Sequence, residues 1–276
     1  MTLKTLRSTL PFAAALAAAT ALALTLASPA RAAPVVFSGA GLIDTTDAFV
    51  DMQNALGNPL NGNALGPLPN GRRQINWDAG IVPFDLPGDF FNATVPRGAL
   101  LSNDAGDAFR VSNDGVDNEF DSLNTLYPDQ FQTFSPERLF SPAGTNVFSV
   151  DFAVPGSNQD ATVNGFGAIF TDVDLADTTK IEWFGLDGSL LFSAFVEPDP
   201  QGLSFLGAIL DDPIASVTIT LGTAVLGADD LPGLGQDVVV LDDFIYGEPQ
   251  AVPLPPSVLL LGSALFGLAT IQRRRA

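Results

Sequence analysis

Asn146-Val147-Phe148-Ser149-Val150-Asp151-Phe152-Ala153-Val154 is the stretch that decides the fold class. Phe148, Val150, Phe152 and Val154 fall on one side of an extended chain, and Ser149 and Asp151 fall on the other. Side chains alternate across a strand, so this period of two sets an apolar face on a core and a polar face in water. The pattern recurs downstream. Ile181 and Trp183 alternate with Lys180 and Glu182, while Val217, Ile219 and Leu221 alternate with Ser216, Thr218 and Thr220. Between these runs, Gly185-Leu186-Asp187-Gly188 is a turn that leads into residues 189–196 and predicts a hairpin. Residues 165–173 and 237–246 read as further strands, the second largely buried. Upstream, residues 71–78 have strand character and 58–71 form a Gly/Pro/Asn loop. Residues 44–55 read as a short helix with Phe49, Met52 and Ala55 on one face. There is no internal repeat. Short strands without interleaved helices predict an all-β body, an antiparallel β-sandwich or jelly roll.

Charge separates the ends from the middle. Lys4, Arg7 and Arg31 lie in residues 1–33, Arg273, Arg274 and Arg275 close the chain, and neither end carries a carboxylate. The 31 acidic residues therefore face only Arg72, Arg73, Arg97, Arg110, Arg138 and Lys180, which gives the body a formal charge of −25. A field of that sign repels phosphate backbones and excludes nucleic acid as the expected partner. The chain has no Cys and no His. That removes disulfides, thiolate chemistry, the usual general base of a Ser triad and the commonest zinc ligand.

The ends read as addresses. Residues 1–33 combine a basic start, an apolar stretch from Phe12 to Ala27 and the small-residue exit Ala30-Arg31-Ala32. They predict a signal helix cleaved after Ala32 or Ala33. The stretch 251–271 is uncharged. As a helix it reaches about 31 Å, close to a hydrocarbon core of about 30 Å. The strictly apolar part, 258–271, spans only about 21 Å. Three terminal arginines hold that end in the cytoplasm. The domain plan is thus a signal peptide at 1–33, an acidic β body at 34–250 and a single-helix tail at 251–276.

Val252-Pro253-Leu254-Pro255, a short apolar helix and the cluster Arg273, Arg274 and Arg275 together resemble the PEP-CTERM sorting signal in its Val-Pro-Leu-Pro form. Leu254 stands where the commoner form has Glu, and Pro256 where the variant has Ala. The resemblance implies an exosortase-type membrane protease as partner, transient residence in the inner membrane of a Gram-negative bacterium, and an extracellular-matrix or exopolysaccharide setting. Residues 165–174 through 241–248, with Arg73–Asp78 and Pro87–Asn92, resemble a body found in many such proteins. For the fold this implies a lectin-like sandwich.

Asp172-x-Asp174 ends one predicted strand, and Asp242-Asp243 lies within the last. Adjacent carboxylates in so apolar a strand need a partner, because an unpaired buried charge is expensive. Structural calcium, which takes about six to eight oxygens, would be one. Asp114, Asp117 and Glu119 form a second oxygen-rich run whose spacing is not that of an EF-hand. The plain alternative is that all seven are turn and strand-end residues met by backbone N–H groups or Arg. Trp77, Trp183, Tyr127 and Tyr246 are candidates for stacking on sugar rings if exposed, and core residues if not. Asn92-Ala93-Thr94 is a formal glycosylation sequon. With 31 carboxylates, acidic pairs arise by chance, and Lys180 alternates outward on its strand, so no catalytic residue is assigned. The sequence therefore predicts a non-enzymatic surface or matrix protein, structural or polysaccharide-associated. A secreted carboxylate-dependent glycoside hydrolase is the alternative.

Overall fold

The computed structural model describes residues 32–106, 108–112, 118–227 and 235–253. The expected signal helix and the expected tail helix fall outside the described residues, as do Asp114 and Asp117. Among the described residues, no helix is long and apolar enough to cross a membrane.

The body is mostly β. It enters as β1 (Val35–Ala40), turns at Gly41 (φ 86°) into α1 (Leu42–Leu56), and after a loop forms β2 (Arg72–Ile75). Short pieces follow: β3 (Asp85–Pro87), α2 (Phe90–Ala93), β4 (Ala99–Ser102), β5 (Ala108–Val111), α3 (Tyr127–Gln130) and β6 (Phe140–Pro142). The strands then lengthen through β7 (Val147–Phe152), β8 (Ala161–Val173), β9 (Lys180–Phe184) and β10 (Leu190–Phe195). The last are β11 (Asp199–Ile214), β12 (Ser216–Thr220), β13 (Val240–Gly247) and β14 (Gln250–Ala251).

Two antiparallel sheets result. The large one runs β1-β11-β8-β13-β6-β5-β3, with β2 also on β13 and β14 also on β8. The small one runs β10-β9-β12-β7-β4. The predicted hairpin is β9–β10: the Gly185 N–H bonds Ser189 O at 2.9 Å, and Ser189 Oγ donates to Asp187. One core lies between the sheets. Phe148 and Phe152 of the small sheet meet Phe140, Phe166, Phe244 and Tyr246 of the large one at ring separations of 5.5–6.3 Å, the shortest being Phe140–Phe148 at 5.5 Å. Phe-rich composition supplies bulk here, since each aromatic ring buries a large area.

The outer face of the large sheet is covered by α1. Thr45, Ala48, Phe49, Met52 and Leu56 form its buried stripe, spaced as one face of a 3.6-residue period. Phe49 packs edge-on against Phe205 (5.6 Å) and Phe134 (5.2 Å). Thr45 Oγ1 donates to Leu203 O at 2.9 Å, and Asp44 sits in the first turn, where the helix dipole favours an anion. The expected face is corrected at its end: Ala55 is exposed, and Leu56 takes the buried position because the stripe drifts with the helical period. Met52 lies over Gly167 and Gly207, which are register partners on β8 and β11. A Cβ at Gly207 would stand 2.3 Å from Met52 Sδ, so glycine is what lets the helix approach the sheet.

Candidate functional site

Three carboxyls raised by burial, Asp78, Asp242 and Asp243, gather where β13 meets residues 131–139. Asp242 and Asp243 are buried in β13, the first wholly and the second 7% exposed. Two features fix this place. Trp77, in the left-handed region at φ 62°, stacks on Phe140 at 4.1 Å and donates its indole N–H to Asp242 O at 2.7 Å. Its backbone then turns Asp78 inward, where Oδ1 accepts the N–H groups of Glu137 (2.8 Å) and Arg138 (3.0 Å).

Ser135 is the hub. Its Oγ lies 2.6 Å from Asp243 Oδ1, 3.2 Å from Asp242 Oδ1 and 3.3 Å from Asp78 Oδ2. A hydroxyl has one proton, and the shortest contact takes it. Asp242 Oδ2 accepts the N–H groups of Phe134 (2.6 Å) and Ser135 (3.3 Å). Burial pushes the Asp242 carboxyl well above the usual carboxylate range, and the neighbouring Asp243 raises it further. Burial also raises Asp243, offset by hydrogen bonds from Asp242 and Ser135. Asp78 is raised by burial against the pull of the Arg138 and Glu137 N–H groups. Burial thus disfavours the doubly ionised pair, and both carboxyls are pushed toward the protonated form. Two coupled carboxyls of this kind can do acid–base chemistry where substrate can reach them. Here their oxygens bind the loop 134–138 to β13, and the groups face inward.

The other predicted residues are dispersed. Asp172, at φ 63°, accepts the Gln201 N–H at 2.8 Å. Asp174 is exposed, and its N–H reaches Asp237 Oδ1 at 3.2 Å. Burial, then the charge of Asp237, raises the Asp174 carboxyl. Asp237 also accepts Thr178 Oγ1 and is wholly buried. Glu119 is half-buried, and its carboxyl is raised by burial and by Asp121. Asp172 and Asp174 thus sit in a different hydrogen-bond network from Asp242 and Asp243. Among the described residues, no group of three or more His, Cys, Asp or Glu side chains is placed to hold a metal ion.

The aromatic candidates for sugar stacking are all buried. Trp77, Trp183, Tyr127 and Tyr246 are at most 1% exposed. Their polar tips are used internally: Trp183 Nε1 bonds Phe166 O, Tyr127 OH bonds Gly227 O, and Tyr246 OH bonds Arg97 O. Lys180 points outward and pairs with Glu182 at 2.8 Å. Of the sequon residues, Asn92 is buried, with its amide bonded to Ser157 O and the Gly156 N–H.

Sequence reasoning missed Ser135, Asp237 and a buried ion pair, Arg73–Glu248. A lone Ser carries no pattern, and Arg73 reads as one of two arginines in a strand. Comparison with known proteins gives no matching family model, no similar curated protein and no similar solved structure, so the reading of this chain rests on its own residues.

Proposed function

We propose that this chain is an exported surface or extracellular-matrix protein of a Gram-negative bacterium, structural or polysaccharide-associated and not an enzyme. A signal peptide starts its export. A C-terminal sorting tail arrests it in the inner membrane with the body outside, until an exosortase-type protease cuts the Pro-rich motif.

The observation that supports this reading is the edge strand that immediately precedes the motif. β14 pairs Gln250 with Thr162 and Ala251 with Ala161, and the Val252 N–H bonds Asp160 O at 3.0 Å. Pro253 has no N–H to continue the ladder. The motif Val252-Pro253-Leu254-Pro255 thus follows directly on an edge strand of the body, and its prolines disfavour a continuing helix or sheet. The two sheets over one core form a β-sandwich of the jelly-roll kind, a frame that presents loops for binding.

A non-enzymatic role is supported by the Ser135 cluster, whose carboxylates use their hydrogen bonds within the fold. A glycoside hydrolase needs two carboxylates facing one open cleft. A body of −25 associates with an anionic polymer only through bridging cations such as calcium.

Two experiments test the proposal. A reporter fused after Arg275 stays cytoplasmic on this account, and a periplasmic one contradicts the topology. A pull-down on the cell's own exopolysaccharide, with and without calcium, retains the protein in at least one condition. Retention in neither contradicts the matrix role.

A further inference from the structure

Residues 57–71 form an Asn-, Gly- and Pro-rich loop with little side-chain bulk to pack, yet a buried ion pair orders it. Arg73 on β2 is wholly buried and grips Glu248 as a fork, Nε to Oε2 and Nη2 to Oε1, both at 2.7 Å. Apart from a bond from Arg73 Nη1 to Pro96 O at 2.8 Å, their remaining bonds run to the loop. Arg73 Nη1 donates to Gly62 O at 2.9 Å, while Glu248 accepts Asn61 Nδ2 at 2.8 Å and the Leu68 N–H at 3.1 Å. Removing two charges from water is costly, and such a pair seldom repays that cost in stability alone. What this pair does is set the path of a loop that has no strand ladder of its own. Arg72 adds bonds to Gly57 O and Asn58 Oδ1, each 2.9 Å, and Gln250 Nε2 adds one to Leu68 O at 2.7 Å. At Gly71 (φ 103°) a Cβ would come within 2.2 Å of Pro59 O, so the chain passes there only as glycine.

The fixed loop walls a cleft of about 450 Å³ against β8 and the chain beside β14. Asn58, Asn70, Asn164 and Gln250 line it, with Leu56 and Glu248. Asn70 and Asn164 are exposed, and among the described residues neither side-chain amide makes a hydrogen bond. The wall selects by elimination. Glu248 is its one charged group, and both its oxygens are already occupied. No unpaired charge therefore lines the wall to favour an anion or a cation. No aromatic lines the cleft, which disfavours an apolar ligand. Free amides offer uncharged donors and acceptors together. The volume falls in the range of small-ligand sites, about 300–1,000 Å³.

The geometry points to this cleft as a binding site for a neutral sugar unit of an oligosaccharide or polysaccharide. Sugar hydroxyls both donate and accept, and they carry no charge for the −25 body to repel. Asn70 and Asn164 contact the sugar, and Arg73 and Glu248 are positioning residues. The inference rests on the reading of the body as polysaccharide-associated and gives that association a place and a ligand class.

Calorimetric titration of the exported protein with maltotriose, cellotriose, tri-N-acetylchitotriose and trigalacturonate tests it. At least one neutral trisaccharide binds, and the double variant Asn70→Ala/Asn164→Ala weakens that binding by about tenfold or more with the circular dichroism unchanged. Glu248→Gln weakens it less and opens residues 57–71 to limited proteolysis, which the double variant does not. Binding of trigalacturonate alone, binding of no trisaccharide, or unchanged binding by the double variant overturns the assignment. If the double variant loses the trisaccharide but stays on the cell's own exopolysaccharide, the sugar site stands, its identification as the matrix contact is overturned, and the matrix role of the body is untouched.

Discussion

Ile181 and Trp183 of β9 are buried while Lys180, Glu182 and Phe184, which alternate with them, are half-buried; on β11, every residue from Leu203 to Ala208 is buried without interruption. Both strands are antiparallel and both border the same core. The difference lies in what covers the second face. The small sheet turns its outer side, with Ser149, Thr218 and Thr220, to solvent. The large sheet carries α1 there, so Phe205 packs under the helix while its neighbour Leu206 enters the core between the sheets. Covering a face replaces alternation by continuous burial, as in parallel sheets flanked by helices.

Alanine at consecutive positions is the strongest way to break this comparison. Phe205→Ala and Leu206→Ala should each cost about 3–5 kcal/mol, because both leave cavities. In β12, Ile219→Ala should cost about 2–5 kcal/mol and Thr218→Ala well under about 1 kcal/mol, by urea denaturation. A tolerant Phe205 would mean that α1 is not a true second layer. Next comes the helix approach itself: Gly207→Ala should destabilise by about 1–3 kcal/mol through Met52, and Met52→Ala in that background should recover part of the loss. Simple additivity would place the strain elsewhere.

The acid pair gives a smaller effect with a defined sign. Asp242 is raised in the fold, so its contribution to stability is complete below the ordinary carboxylate range and is lost as pH rises through the raised value. The body should therefore be more stable near about pH 4.5 than near about pH 8, and Asp242→Asn should flatten that slope at a cost of about 1–2 kcal/mol at the acid end. A slope that persists in Asp242→Asn assigns it to other carboxylates. Smallest of all, Ser149→Ala and Thr218→Ala break a 2.9 Å hydroxyl contact on the open face and should shift stability by less than about 0.5 kcal/mol each.

The same difference explains what was legible in the sequence. β7, β9 and β12 could be read because one face of each is wet. β11 could not: its sixteen residues include Pro200, Gly202, Gly207 and Pro213, and its centre is buried on both sides, so no period of two survives. The α1 stripe was visible from Phe49 and Met52, but its last member is Leu56. At the site, Asp242-Asp243 stood out because charge in an apolar strand needs a partner. The partners Ser135 and Asp78 come from remote segments, Ser135 lying 107 residues before Asp242 in the chain, and no local spacing marks them. Arg73 and Glu248 are 175 residues apart and meet only because β2 pairs with β13.

Intact-mass analysis of the protein recovered from the cell surface tests the central claim most directly. The expected chain starts after Ala32 or Ala33 and ends near Pro255, a few residues beyond β14. A surface-recovered chain still carrying Arg273, Arg274 and Arg275 would contradict it.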